Sequence, residues 1–69
     1  MPVTMLNPGE KGIIKTITGD AKIRSHLAEL GFVVDSEVTV VSKMGKNVIL
    51  QVKDSRLALS ENMAKRIFV

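Results

Sequence analysis

The side chains able to do chemistry are few and scattered. Among 69 residues there is one histidine, His26, no cysteine and seven carboxylates. A lone imidazole can act as a base or a metal ligand, but either use needs a second group beside it. His26 lies three residues after Ile23 and four before Leu30, at the flank of an apolar helical stripe. That position suits a half-buried residue or a surface contact. Glu10, Asp20, Glu29, Asp35, Glu37, Asp54 and Glu61 each fall in a turn, a cap or an exposed face. No spacing pairs two of them on one helix face, so acid–base pairs and carboxylate metal sites have no support. Without cysteine there are no disulfides, thiolate metal sites or thiol nucleophiles, which fits a reducing compartment. The five glycines stand at separate turns. Gly9 and Gly12 precede a strand rather than a helix, so the amide cradle of a phosphate loop is missing. No catalytic, cofactor-binding or metal-binding residues are expected, and no enzymatic activity.

Binding is the remaining class. Ten basic residues against seven acidic give a net charge of +3, dispersed from Lys11 to Arg66 without a block. Such a surplus suits an acidic protein surface, a membrane face or nucleic acid. Small barrels that bind nucleic acid stack bases on aromatic rings. Here only Phe32 and Phe68 are aromatic, and both sit in apolar neighbourhoods that mark them as core. A nucleic-acid-binding barrel, held by salt-sensitive phosphate contacts, is therefore the alternative rather than the leading reading. Val33, Val34 and Met44 are apolar residues at loop positions. With Lys22, Arg24, Lys43 and Lys46 they could form a docking site for another protein.

The elements that would position these residues follow from periodicity. The stretch Ala21 to Phe32 reads as a helix joined to a stop. Ile23, Leu27 and Leu30 recur at the helical period. Asp20 is placed to cap its start, and Gly31 to end it in a left-handed conformation. Before it, Met5 and Leu6 suit a short edge strand, and Asn7–Gly9 is a turn. Gly12 to Thr18 is β-branched everywhere except Gly12 and Lys15, and is expected to run as one strand. After the helix, Asp35-Ser36 is turn chemistry. Glu37 to Lys43 forms a second strand, in which Val38, Val40 and Ser42 share one face. Met44-Gly45-Lys46-Asn47 makes a hairpin loop into a third strand, whose inward face is Val48, Leu50 and Val52. Asp54-Ser55 is a tight turn, and Arg56 to Leu59 a fourth strand. Ser60 caps one helical turn with Met63 and Ala64 inward, and Ile67 to Val69 close the chain as a fifth strand. The predicted architecture is mainly β: a small, strongly bent, partly open barrel, with one lateral helix and one helical turn. No run joins positive charge to a long apolar segment, and no apolar run approaches the roughly 20 residues that span a bilayer. A cytoplasmic protein is expected.

The order of these elements, joined to particular residues, resembles a known family. KIRSHLAELGF, followed by SEVTVVSKMGKNVILQV and then RLALSENMAKRIFV, is similar to the ferrous iron transport protein A (FeoA) family. Leu27, Leu30 and Gly31 match its helix end, Val38 and Val40 the next strand, and Gly45 the hairpin. Leu57, Ala58 and Leu59 match the strand before the helical turn, and Ala64, Ile67 and Val69 the closing element. The resemblance implies a single cytoplasmic SH3-like barrel over residues 1–69, with about five strands. It also implies an accessory role in bacterial ferrous iron uptake, through contacts with the cytoplasmic part of an FeoB-type membrane transporter. A similar barrel forms the C-terminal domain of iron-dependent repressors, which makes a free-standing regulatory domain a further alternative. This chain departs from the family pattern at Val34-Asp35-Ser36, at His26 and in its proline-free hairpin loop. The contacts expected with the partner are Lys22, Arg24 and His26 on the helix, and Met44 and Lys46 at the hairpin tip.

Overall fold

In the computed structural model, which describes residues 1–69, helix α1 occupies Ala21–Glu29 and is fixed at both ends by local chemistry. At its start, Asp20 Oδ1 accepts from the Ile23 amide at 2.9 Å. At its end, the Gly31 amide donates to the Ala28 carbonyl and the Phe32 amide to the Leu27 carbonyl, both at 3.0 Å. This is the Schellman arrangement, and it requires a left-handed residue at Gly31, whose φ is +104°. Leu27 and Phe32, the residues joined by the longer of the two loops, are both fully buried.

Gly31→Ala is therefore a test of strain rather than of space. A Cβ there would come only to 3.4 Å from Val52, an ordinary contact. The left-handed backbone itself should cost a side chain about 1–2 kcal/mol. The expected result is a lower urea midpoint with an unchanged slope.

Six strands form two sheets. A four-stranded antiparallel sheet has the order β1-β3-β4-β5, where β1 is Lys11–Ile13, β3 Glu37–Met44, β4 Asn47–Val52 and β5 Ser55–Ser60. A two-stranded sheet pairs β2, Thr16–Ile17, with β6, Ile67–Phe68. A short helix, α2 (Glu61–Ala64), joins β5 to β6, and Ser60 Oγ caps it by accepting from the Met63 amide. The mainly β, strongly bent architecture is as expected, with six strands in place of five.

The extra strand comes from a break in Gly12 to Thr18. Ile14 is fully buried, and its backbone bonds leave the sheet for the loop before β3: its amide donates to Ser36 and its carbonyl accepts from Asp35. The chain bends there, so β1 joins one sheet and β2 the other. Ile13 and Ile17, which a single continuous strand would put on one face, are separated, and Ile13 turns outward at 47% exposure.

Three smaller expectations also need correction. Met5 and Leu6 form no edge strand, because Val3–Met5 is a 3-10 turn that buries Val3 and Leu6. A bulge at Val41 reverses the alternation in β3, since register shifts between Val40 and Ser42. Ser42 then pairs with Ile49, and Lys43, which remains exposed, lies opposite buried Val48. The turn after β4 is Lys53-Asp54, because Ser55 is drawn into the ladder opposite Val52. Lys53 consequently takes a positive φ of 54°.

The core is one cluster of 13 buried residues, all apolar. Val38, Val40, Val48, Leu50, Val52 and Leu59 come from the inner face of the large sheet, as their alternation requires. Leu27 and Phe32 enter from α1 and its exit, Ala64 and Ile67 from the closing segment. The 3-10 turn caps one end, held by Lys43, whose ammonium donates to the Thr4 carbonyl at 2.9 Å. Met1 and Val69 exchange two backbone hydrogen bonds, at 2.8 and 2.9 Å.

Candidate docking surface

Helix α1 projects its residues around an apolar stripe of fully buried Leu27 and partly buried Ile23 and Leu30. At about 100° per residue, Lys22 and His26 lie on one flank of that stripe and Arg24 on the other. All three are exposed. They do not form one cluster but bracket the side of the helix that meets the barrel. His26 sits in the last helical turn, where a cation would meet the negative end of the dipole.

The hairpin tip is built by a two-residue turn, Gly45-Lys46, between the paired Met44 and Asn47. Met44 is 65% exposed, and Lys46 is exposed beside it. The Lys46 carbonyl accepts from the Glu61 amide at 2.8 Å, which ties the tip to the start of α2. Met5, in the 3-10 turn that Lys43 holds, is 64% exposed. Lys43, although exposed, directs its ammonium to that turn.

The structure places the two groups on separate elements. Gly31, at the end of α1, packs toward Val52 at the opposite end of β4 from the tip. No hydrogen bond or ion pair joins Lys22, Arg24 or His26 to Met44 or Lys46 through their side chains. The helix side carries its own apolar component. Val33 and Val34 are exposed, and the Ile14 backbone bonds to Asp35 and Ser36 set exposed Ile13 beside that loop. Period-two alternation does not mark Ile13 as exposed, because the bend at Ile14 breaks the alternation. The only sequence signal for it was an Ile-Ile doublet, of which one member must face outward.

Around these residues the surface is polar and shallow. Its depressions have no hydrophobic lining, and one is formed by Ser36, Glu37, Thr39, Gln51 and Lys53 across β3 and β4. No three His, Cys, Asp or Glu side chains gather into a group able to hold a metal. The one ion pair, Lys11–Glu37 at 3.9 Å, is solvent-exposed and worth little. Phe32 is enclosed in the core, as expected, whereas Phe68, expected there too, is only half-buried and lies outside the core cluster. No helix is long and apolar enough to cross a membrane.

The fold has close relatives among solved structures. The chain is 26% identical to an iron uptake regulatory protein, FeoA, with a TM-score of 0.89, covering 97% of this chain and 91% of that one. It is 30% identical to Stenotrophomonas maltophilia FeoA, solved with zinc, with a TM-score of 0.86 and coverage of 99% and 87%. That protein is described as an SH3 domain protein and a candidate activating factor of bacterial ferrous iron transport. A manganese-dependent transcriptional repressor shares the fold at 17% identity and a TM-score of 0.88, and this chain spans 39% of its length. A search of curated proteins finds no match. The FeoA domain family is matched over residues 1–69, and the chain belongs to that family.

Proposed function

We propose that residues 1–69 act as a single accessory module of bacterial ferrous iron uptake, one that docks on the cytoplasmic part of an FeoB-type membrane transporter. The FeoA match over the whole chain carries this reading. Two features of the surface support docking over chemistry. The titratable side chains gather into no metal-holding group, and exposed apolar side chains stand beside candidate contacts: Val33 and Val34 just past the end of α1, and Met44 at the hairpin tip with Lys46. Apolar patches rimmed by charge suit protein contacts. The mechanism is differential binding: the module favours one state of the transporter's cytoplasmic part and shifts its equilibrium. The working compartment is then the cytoplasm, and the protein itself is not an enzyme.

The test is an NMR titration of labelled protein with the GTP-binding domain of the transporter, with and without nucleotide. Shifts should gather at Lys22, Arg24 and His26, or at Met44 and Lys46. Because the two groups lie on separate elements, a single docking face should move one group far more than the other. No shift at either, at millimolar partner, would sink the reading. The nucleic-acid alternative has less to use, because no fully exposed aromatic ring is available to stack a base.

A further inference from the structure

Small β proteins must manage their sheet edges, because an unpaired strand offers a row of free amides and carbonyls to any other chain. Here all edges but one are short or covered. Val69 packs against Gly12 so closely that a Cβ on Gly12 would lie 2.9 Å from the Val69 Cβ, which covers β1. Pro2 bridges to Phe68 and Met1 pairs with Val69, which covers β6. The β2 strand has only two residues. The exception is β5. It is six residues long, pairs only with β4, and none of its residues from Ser55 to Ala58 makes a backbone hydrogen bond on the other side. It carries no proline, no bulge and a single charge, Arg56.

The register fixes which groups are free. Val52 and Ser55 flank a two-residue turn and form a hydrogen-bonded pair, so the ladder bonds recur at Leu57 and Leu59. The amides and carbonyls of Arg56 and Ala58 therefore point away from β4. Both residues are exposed, and Leu57, which faces the core side, is half-exposed because nothing flanks it.

We propose that this edge is an interface between two copies of the chain, formed by antiparallel pairing of β5 with β5 about a two-fold axis at Ala58. Free amides must face free amides, which requires residues of equal parity to lie opposite each other. Centring the axis on Ala58 does this. It sets Ala58 against Ala58, Arg56 against Ser60 and Leu57 against Leu59 of the second copy. Each choice is favourable. Ala58 lies on the axis in a hydrogen-bonded pair, where its small side chain leaves the two backbones free to meet, and Leu57 meets Leu59 in the closer non-hydrogen-bonded pair, an apolar neighbour continuous with the core face. The two Arg56 side chains are held apart. The same register brings Glu61 of one copy next to Arg56 of the other. Neither is ion-paired within the chain, since Arg56 bonds only Gln51, at 3.0 Å, and the single ion pair lies elsewhere. The result is one continuous eight-stranded sheet with both β5 edges closed.

The test is sedimentation equilibrium of the full chain across micromolar to millimolar concentration. Wild-type protein should double in mass with rising concentration. Ala58→Lys places two like charges opposite each other on the axis, and should raise the dimer dissociation constant about two- to fivefold. Ala58 is exposed, so that variant should keep its melting temperature. Ala58→Pro removes the free amide alone, which an edge position tolerates, and should leave a monomer. Hydrogen exchange at the Arg56 and Ala58 amides should slow with concentration in the wild type only. A wild-type chain that stays monomeric at millimolar concentration would overturn the proposal. So would a dimer that Ala58→Lys leaves intact, or one whose exchange protection lies away from β5, including at the helix or hairpin tip.

Discussion

Phe32→Ala should lower stability by about 3–5 kcal/mol, the range for removing a buried ring. A domain of this length holds roughly 3–10 kcal/mol in all, at 0.05–0.15 kcal/mol per residue, so the loss approaches the whole. Three features combine at this position. The ring is fully buried. Its amide closes the stop of α1 by donating to the Leu27 carbonyl. It also begins the segment that carries the chain from the helix into β3, where Val38 and Val40 are fully buried as well. With roughly 4–8 °C lost per kcal/mol in a domain of this size, melting followed by circular dichroism should fall by at least about 12 °C. The neighbour supplies the control. Val33 is exposed, and Val33→Ala should stay within about 0.5 kcal/mol of wild type. Two adjacent apolar residues with such different costs would locate the wall of the core between them. Equal costs would contradict the burial described here.

What the sequence could reveal about this molecule follows from how local each determinant is. The stop of α1 was readable because its parts lie within a few residues: an aspartate, a stripe at the helical period and a glycine. The inner face of β4 was readable because Val48, Leu50 and Val52 alternate without interruption. The bend at Ile14 was not. What decides it is the pairing of Ile14 with Asp35 and Ser36, some twenty residues on, and local propensity favours a continuous strand. The bulge at Val41 was hidden for the same reason. A run of β-branched residues tolerates either register, and the choice falls to cross-strand partners in β4. The 3-10 turn at Val3–Met5 depends on burying Val3 and Leu6 under the barrel end, again a distant effect. The candidate docking residues were legible as exposed charge and apolar side chains, and their division between the helix and the hairpin tip followed from the element boundaries. What needs the folded chain is the distance between those elements, since the exit of α1 packs toward Val52, at the opposite end of β4 from the tip. The free edge of β5 likewise becomes visible only when every other edge is seen to be covered.

Leu27→Ala should cost about 2–5 kcal/mol, and its consequences separate scaffold from contact. Leu27 is the one fully buried residue of α1; Ile23 and Leu30 are only partly covered. Without it, the helix keeps its cap at Asp20 and its stop at Gly31 but loses its main hold on the barrel. If Lys22, Arg24 and His26 form the docking face, Leu27→Ala weakens partner binding without touching the partner, and weakens it in step with stability. His26→Ala behaves in the opposite way. An exposed side chain changes stability by no more than about 0.5 kcal/mol, so any loss of binding there reports contact. The pairing with Phe32 can be examined in the same framework. Combining Leu27→Ala with the milder Phe32→Leu should depart from additivity by about 0.5–3 kcal/mol, as neighbours in one cavity do. Additive costs would mean that the two side chains fill separate parts of the core, and that the stop of α1 is held by its backbone bonds and by glycine alone.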